Sequence, residues 1–232
     1  PGVRWFVHHE LAASRSLIIF CEGEHMSEPK DTRYWQSKRV EMRAAGFNPD
    51  AIAKATAVVT IANPHTNAHR CNNRVSRIAE LAGEALAELG AQGFTVGAPA
   101  VSDAMTQGSK NAGYSLLSRD LVADCVEVGH HAHRGNAMLV ISGCDKTGAA
   151  ALMPLARTNA PGLVVYAGTG NPGRVDIEPW AAKGNNLTIL DYAEAAAARE
   201  AGQISNEQFL ELEKSVMPGS GTCGAMFTAN TM

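Results

Sequence analysis

The sequence has few of the features that mark nucleic-acid-binding or membrane proteins. Lysine and arginine together number 20 against 23 aspartate and glutamate, with no basic stripe, and aromatic residues make up only 6%. A nucleic-acid-binding surface would need clustered positive charge and aromatic side chains on which bases stack. The longest apolar runs, such as residues 17–21, are far shorter than the roughly 20 residues of a membrane-spanning helix. We therefore predict neither a nucleic-acid partner nor a membrane span.

The sequence also lacks any pair of cysteines separated by two residues. Its five cysteines are an odd number at irregular spacing, which argues against a disulfide framework and against a structural zinc site. Residues 1–25 lack the basic, apolar and small-residue order of a secretory signal. Reduced thiols in the cytoplasm are the better interpretation.

The two ends of the sequence differ in character from its middle. Residues 1–25 show no periodic pattern that continues into the rest of the chain, whereas Met26 begins a stretch that resembles a natural start. We interpret 1–25 as an extraneous or disordered leader and 26–232 as one α/β domain, a length that suits a single large domain. The abrupt end at Met232 suggests a longer protein with a further C-terminal domain that this sequence does not contain.

Short apolar runs alternate with longer amphipathic segments from about residue 57 onward. This alternation predicts βαβ units, and hence an α/β fold with a mainly parallel sheet flanked by helices. Ligands bind outside the carboxyl ends of the strands in such sheets, so we expect the site there. The predicted strands are 57–62, a strand from 94 to about 101–103, 137–141, 163–166 and 187–190; the predicted helices are 36–46, 72–90, 114–131, 147–158, 191–201 and 206–216.

Residues of types that commonly bind metals come after three of these strands. Cys144, Asp145 and Lys146 come directly after the strand at 137–141, Asp103 ends another, and Cys71 follows the first. Soft thiolates select iron–sulfur clusters or zinc, whereas hard carboxylate oxygens select magnesium. The sequence therefore indicates two different metals side by side.

Cys71 and Cys223 lie in polar, turn-rich segments, unlike Cys21 and Cys125, which have the apolar neighbours of structural cysteines. Three thiolates are one short of a closed cluster, and an incomplete shell leaves one metal position open to substrate. The blander alternatives are a buried cysteine at 144 and a turn or capping aspartate at 103.

Lys146 raises a physical problem for a magnesium site, because its ammonium repels a divalent cation. The side chain must point away, lose its proton, or become an anion, as it would through carbamylation by CO₂. The histidines at 65, 69, 130, 131 and 133 fall in a loop and at a helix end, and we interpret them as residues that do not bind metal.

Four stretches resemble the dihydroxy-acid and sugar-acid dehydratase family, which includes phosphogluconate dehydratase. They are Val-Ser-Asp at 101–103, Tyr-Ser-Leu-Leu-Ser-Arg-Asp at 114–120, Gly-Cys-Asp-Lys-Thr at 143–147, and the segment at 221–232. Cysteine followed by Gly-Ala-Met-Phe-Thr-Ala-Asn-Thr-Met in that last segment is a very specific match. The resemblance extends from about residue 27 to the end and implies the N-terminal α/β domain of the family.

The resemblance implies a role for each candidate residue. It implies a [2Fe-2S] or [4Fe-4S] cluster on Cys71, Cys144 and Cys223, and Mg²⁺ on Asp103, Asp145 and a carbamylated Lys146. It further implies dehydration of a small 2,3-dihydroxy carboxylic acid, either a branched-chain dihydroxy acid or a sugar acid, to a 2-keto acid. Family members are expected to be homodimers when full length. The base that the family uses, a serine of its second domain, has no counterpart here, so we expect no turnover by these 232 residues alone.

The sequence departs from the family pattern beside the first cysteine. The family usually has Pro-Cys-Asn-x-His, whereas Cys71 is flanked by Arg70 and by Asn72-Asn73-Arg74. Ala104 stands where a glycine is usual after the aspartate, and Ser220 where the family commonly has a cysteine. Two alternatives therefore remain open: a non-catalytic relic of the same fold, and a metal-binding or thiol redox module.

Overall fold

A six-stranded sheet forms the centre of the protein. The computed structural model describes residues 4–8, 18–22, 32–168 and 170–221. The strands are β1 (Arg4–His8), β2 (Ile18–Glu22), β3 (Val58–Asn63), β4 (Gln92–Gly97), β5 (Ala137–Ser142) and β6 (Gly162–Tyr166). Their spatial order is β1-β2-β6-β5-β3-β4. The four strands β3, β4, β5 and β6 are parallel to one another, whereas β2 pairs antiparallel with β6 and β1 pairs antiparallel with β2.

Nine α-helices and one 3₁₀ helix accompany the strands in the described part of the chain. The α-helices are α1 (Thr32–Ser37), α2 (Arg39–Ala44), α3 (Pro49–Lys54), α4 (Val75–Glu88), α5 (Asp103–Thr106), α6 (Ala112–Ala132), α7 (Asp145–Thr158), α8 (Ile189–Glu200) and α9 (Asn206–Ser215), and the 3₁₀ helix is Trp180–Lys183. The prediction of an α/β fold with a mainly parallel sheet is confirmed.

Helices cover both faces of the parallel strands, which explains why these strands are almost continuously apolar. On one face Val140 of β5 packs against Val126 of α6 and Leu155 of α7. On the other face Ile141, the next residue of β5, packs against Val75 of α4. The alternation of side chains along a strand thus sends successive residues into two separate cores.

The predicted strand at 187–190 is wrong. Leu187 forms only an isolated bridge with Gly173, and Thr188 caps α8 instead. The Thr188 side chain accepts from the backbone of α8 while Asp191 accepts from the Thr188 backbone, and this capping box favours a helix start over a strand. Leu187 is buried in a separate apolar cluster with Trp180, beside α8 and α9.

Other predicted boundaries also shift. The strand from 94 spans Gln92–Gly97 and does not reach 101–103, where the Ser102 side chain accepts from the Ala104 backbone and caps α5. The helix at 36–46 divides into α1 and α2. The helix predicted at 147–158 begins two residues earlier, so Asp145 and Lys146 are its first residues. No helix in the described ranges is long and apolar enough to cross a membrane. The assignment of 1–25 as a leader stays a prediction.

Candidate metal centre

Three neighbouring strands place the candidate residues at one edge of the sheet. Strands β5, β3 and β4 are adjacent, and their carboxyl ends lead into the segments that hold Cys144, Cys71 and Asp103. Because parallel strands end at the same edge, residues far apart in sequence meet there. The site has two parts, which we call the sulfur side (His69, Cys71, Ser102 and Cys144) and the oxygen side (Asp103, Ser115, Asp145 and Lys146).

The Ser102 hydroxyl joins the two cysteines of the sulfur side. Its oxygen lies 3.8 Å from Cys71 Sγ and 3.3 Å from Cys144 Sγ, so the two sulfurs are no farther apart than these distances combined. Cys71 is 3% exposed, Cys144 5% and Ser102 not at all. Two of the three predicted sulfur residues are therefore brought together in a buried position.

His69 is a member of the sulfur side that sequence reasoning missed. Its ring is buried, with Nδ1 2.9 Å from Cys71 Sγ and Nε2 3.4 Å from the carbonyl oxygen of Ala100. The i,i+4 spacing of His65 and His69 indicates no such role, because the pair falls in a loop and not on a helix. Its position two residues before Cys71 was the available signal, since side chains that close in a turn are able to meet.

Gly143 allows the two cysteine segments to approach. A Cβ atom at this position would lie 2.3 Å from the carbonyl oxygen of Cys71 and 3.0 Å from the side chain of Asn72. Such contacts are too short for any real Cβ, so only glycine fits without displacement of the Cys71 segment. The glycine before Cys144 is thus explained by the neighbouring chain.

Thr147 fixes the backbone around Cys144. Its Oγ accepts hydrogen bonds from the Gly143 and Cys144 backbone N–H groups at 3.0 and 2.8 Å, while Cys144 occupies the N-cap of α7. Thr147 is itself buried. This capping arrangement sets the direction of the first turn of α7 and hence the positions of Cys144, Asp145 and Lys146.

The oxygen side is a charged cluster at the start of α5 and α7. Lys146 Nζ donates to Asp103 Oδ2 at 2.8 Å and to Asp145 Oδ2 at 2.5 Å. The Ser115 hydroxyl of α6 donates to Asp103 Oδ1. The side chains of Lys146, Asp103 and Asp145 are 22%, 29% and 12% exposed, so they are half-buried and within reach of water.

The charges of the oxygen side support one another. The hydrogen bond with Asp145 is the main cause that holds the pKa of Asp103 well below its usual range; burial opposes it, and Lys146 and Ser115 lower it further. Burial acts to lower the pKa of Lys146, but its hydrogen bonds with Asp103 and Asp145 outweigh this and raise it. The carboxyl groups of Asp103 and Asp145 therefore both lie against one ammonium, and their hard oxygens are of the kind that bind a cation such as Mg²⁺.

The two sides are in direct contact. Cys144 Sγ donates to Asp145 Oδ1 at 3.0 Å, so consecutive residues of α7 and its cap belong to the sulfur side and the oxygen side respectively. In the described residues no three histidine, cysteine, aspartate or glutamate side chains surround one point closely enough to hold a metal ion. On the oxygen side, the ammonium of Lys146 lies between the two carboxylates. A metal ion bound there would compete with this ammonium for the carboxylate oxygens.

Cys223 lies outside the described residues, but the segment that leads to it is described. The Gly221 backbone N–H donates to the carbonyl oxygen of Arg70 at 3.2 Å. The Arg70 guanidinium in turn reaches the carbonyl oxygens of Pro218 at 3.4 Å and Ser220 at 3.5 Å. The chain two residues before Cys223 is thus fastened to the residue directly before Cys71.

The types of donor present, soft sulfur and hard oxygen, match the two kinds of metal group that the sequence indicates. The sulfur side offers two buried thiols, and the oxygen side offers two carboxylates that are partly open to water.

Asn72 is fully buried beside Gly143; its Nδ2 donates to the Pro64 carbonyl at 2.5 Å, while its Oδ1 has no hydrogen-bond partner among the described residues. A buried polar atom of this kind costs free energy unless something else satisfies it.

The chain is similar to known dehydratases over most of its length. The family model described as dihydroxy-acid/6-phosphogluconate dehydratase N-terminal matches residues 56–232. Over 194 residues the chain is 38% identical to the dihydroxy-acid dehydratase of Prochlorococcus marinus strain NATL2A, an alignment that covers 84% of this chain and 33% of that protein. It is 40% identical over 189 residues to dihydroxy-acid dehydratase 1 of Cupriavidus pinatubonensis, covering 82% of this chain and 32% of that protein.

The similarity is spread over most of the chain. A third relative, the dihydroxy-acid dehydratase of Albidiferax ferrireducens, is 37% identical over 189 residues, again 82% of this chain and 32% of that protein. The chain thus spans about a third of the length of the curated relatives that it matches. On the strength of the matched residues 56–232, the chain belongs to the dihydroxy-acid/6-phosphogluconate dehydratase family.

Proposed function

We propose that this chain forms the metal-binding part of a hydro-lyase that dehydrates a 2,3-dihydroxy carboxylic acid to a 2-keto acid. The observation that carries the proposal is the approach of Cys71 and Cys144 to the Ser102 hydroxyl, directly beside a pair of carboxylates. A branched-chain dihydroxy acid is the preferred substrate, because the similar proteins are named dihydroxy-acid dehydratases. A sugar acid is the alternative within the same family.

Cys71, Cys144 and Cys223 are the proposed ligands of an iron–sulfur cluster. Two of these thiols are buried and close together, and the third follows a segment that is fastened to Arg70. Burial of the sulfurs would keep water away from the cluster and slow its loss. Whether two or four irons are held depends on contacts beyond these three ligands. A reducing compartment such as the cytoplasm suits the proposal, because the ligands must remain thiolates.

Asp103, Asp145 and Lys146 are the proposed ligands of Mg²⁺, with Lys146 carbamylated. As an ammonium, Lys146 offsets one of the two negative charges that Asp103 and Asp145 carry when both are ionised. As a carbamate, it would add a third anionic oxygen ligand, and the three anionic groups together would require a cation such as Mg²⁺ to offset most of their charge. Ser115 would keep Asp103 oriented in either state through its hydrogen bond.

The residues of the chain divide the work of the reaction. The oxygen side, which water reaches, would bind the end of the substrate that carries the carboxylate. The sulfur side, which is dry, would lie next to the hydroxyl that departs. When bound, the iron and the magnesium supply Lewis acidity, which makes hydroxide a better leaving group and neutralises the negative charge that develops on the substrate. Homodimer formation remains an expectation for the full-length protein.

Iron and sulfide content after anaerobic reconstitution tests this proposal. We expect the wild-type chain to bind iron and sulfide in a fixed ratio, and Cys71→Ser, Cys144→Ser and Cys223→Ser each to lose most of both. Cys125→Ser is the matched control, because Cys125 lies in α6 and packs against the apolar core. A wild-type chain that folds but takes up no iron would contradict the proposal and favour a non-catalytic relic.

A further inference from the structure

The contact between His69 and Cys71 is not explained by the fold alone. His69 Nδ1 lies 2.9 Å from Cys71 Sγ, a short separation for a nitrogen and a sulfur. Both side chains are buried, and no helix or strand holds His69, which lies in the loop between β3 and α4. The second ring nitrogen is 3.4 Å from the Ala100 carbonyl, a longer and weaker contact. The ring therefore places one nitrogen beside the sulfur and the other beside a backbone carbonyl.

The chemistry of a bound thiolate decides which atom supplies the hydrogen. A thiolate that binds iron carries no proton, so it is able only to accept. The hydrogen in the contact must then come from Nδ1 of His69. A ring that carries a hydrogen on Nδ1 fulfils this requirement, and a ring with hydrogens on both nitrogens would in addition donate from Nε2 to the Ala100 carbonyl oxygen.

We propose that His69 is a positioning residue for Cys71, which donates its Nδ1–H to the Cys71 sulfur when this sulfur is a cluster ligand. The inference rests on the proposed cluster and adds to it a residue of this chain outside the three ligands. The hydrogen bond fixes the direction of the Cys71 side chain. It also draws negative charge from the sulfur, and hydrogen bonds to ligand sulfurs are one of the means by which proteins set the reduction potential of a cluster.

A set of three variants separates this role from a merely structural one. His69→Leu replaces the ring with an apolar side chain and so removes the donor. His69→Asn keeps an amide donor near the position of Nδ1. His65→Leu is the matched control, because His65 lies in the same loop and is exposed. The 232-residue chain is reconstituted anaerobically with iron and sulfide, and the reduction potential of the cluster is measured by redox titration with detection by electron paramagnetic resonance.

We expect His69→Leu to retain the fold but to shift the potential to a more negative value, because the reduced cluster loses a hydrogen bond that stabilises its charge. His69→Asn should recover most of the shift, and His65→Leu should match the wild type. In the wild type, pulsed measurements in H₂O and D₂O should detect one exchangeable proton near the cluster that His69→Leu lacks. A potential and a proton signal unchanged in His69→Leu would overturn the inference.

A second measurement distinguishes failure of this inference from failure of the proposed function. If the wild-type chain takes up no cluster, the proposed function fails, and the contact is then judged in the metal-free protein. The ring nitrogen resonances of His69 in a ¹⁵N spectrum should move in Cys71→Ser and stay in place in Cys125→Ser. Resonances that do not move in Cys71→Ser would show that His69 does not interact with this sulfur.

Discussion

The sulfur side and the oxygen side of the site meet at Cys144 and Asp145, but different interactions maintain them. The sulfur side is buried, and its two thiols lie beside the Ser102 hydroxyl. The oxygen side is partly exposed and consists of charges, with Lys146 between two carboxylates. Steric fit therefore maintains the first, whereas charge compensation maintains the second.

This difference suits the two kinds of metal that the site is proposed to hold. Soft sulfur ligands keep their metal best where water is excluded, while Mg²⁺ gives up its water reluctantly and prefers partly hydrated carboxylates. A steric change should therefore damage the sulfur side most, and a charge change the oxygen side. Substitutions at four positions separate these effects, in order of their expected influence on iron binding.

Gly143→Ala should have the largest effect. The new Cβ would meet the Cys71 carbonyl oxygen at 2.3 Å, and this backbone atom is unable to yield as a flexible side chain would. We expect a loss of about 1–3 kcal/mol in the free energy of unfolding and of more than half of the bound iron. Thermal unfolding and iron analysis provide the measurement.

Gly113→Ala is the control for this change. Nothing lies within 4 Å of a Cβ at Gly113, which is in α6, so alanine should be neutral or stabilising there. Equal damage from both substitutions would mean that the close approach at Gly143 is not what maintains the sulfur side.

Arg70→Ala should have an intermediate effect through the segment that leads to Cys223. The guanidinium contacts the Pro218 and Ser220 carbonyl oxygens at 3.4 and 3.5 Å, and such long hydrogen bonds stabilise by roughly 0.5–1 kcal/mol. We expect faster amide hydrogen exchange in 218–221 and a partial loss of iron. Arg74→Ala, four residues away, is the comparison, and identical exchange in both variants would argue against a fastening role for Arg70.

Lys146→Met should spare iron binding but disturb the oxygen side. Without the ammonium, Asp103 and Asp145 repel each other, at an expected cost of about 1–2 kcal/mol that their partial exposure reduces. The thermal midpoint should fall, and stabilisation by added Mg²⁺ should disappear. Lys110→Met, at an exposed position, should change neither quantity. A loss of iron as large as that in Gly143→Ala would show that the two sides do not act separately.

Asp191→Asn should leave both sides untouched, lower the stability at neutral pH and weaken the dependence of stability on pH. Burial tends to raise the pKa of Asp191, but the hydrogen bonds from Lys183 and Thr188 outweigh it and place the pKa below its ordinary value of 3.8. A lowered folded-state pKa stabilises the protein above the unfolded value, and this contribution is lost as the pH falls below about 4. Unfolding midpoints measured from pH 3 to 7 should therefore decline more steeply in the wild type than in the variant. Parallel curves would contradict this assignment.

The sequence was sufficient to predict the parallel strands because helices cover both of their faces, and burial on both sides leaves a continuous apolar run such as 58–62. It was insufficient at 187–190, where an equally apolar run enters a helix through the Thr188 capping box. Short apolar runs do not distinguish strand from buried helix, so local capping decided the outcome.

Several features of the site could not be read from the order of residues. The Ser102 hydroxyl between two thiols and the fastening of 218–221 to Arg70 join segments that are far apart in sequence. The contact of His69 with Cys71 is local, but it depends on a loop conformation that no periodicity encodes. The reason for Gly143 likewise became apparent only from the carbonyl group that approaches it.

By itself the sequence determined which donor types are present and after which strand each donor comes. Hydrophobic periodicity fixes the strands, and chain order fixes the residues that follow them. The tertiary structure alone decided which donors share a space and with what neighbours. Distances between segments depend on the packing of α4, α6 and α7 against the sheet, and this packing arises from contacts summed over the whole chain. For this reason Cys144 and Asp145, adjacent residues of one short motif, belong respectively to a buried pair of sulfurs and to a partly exposed pair of carboxylates.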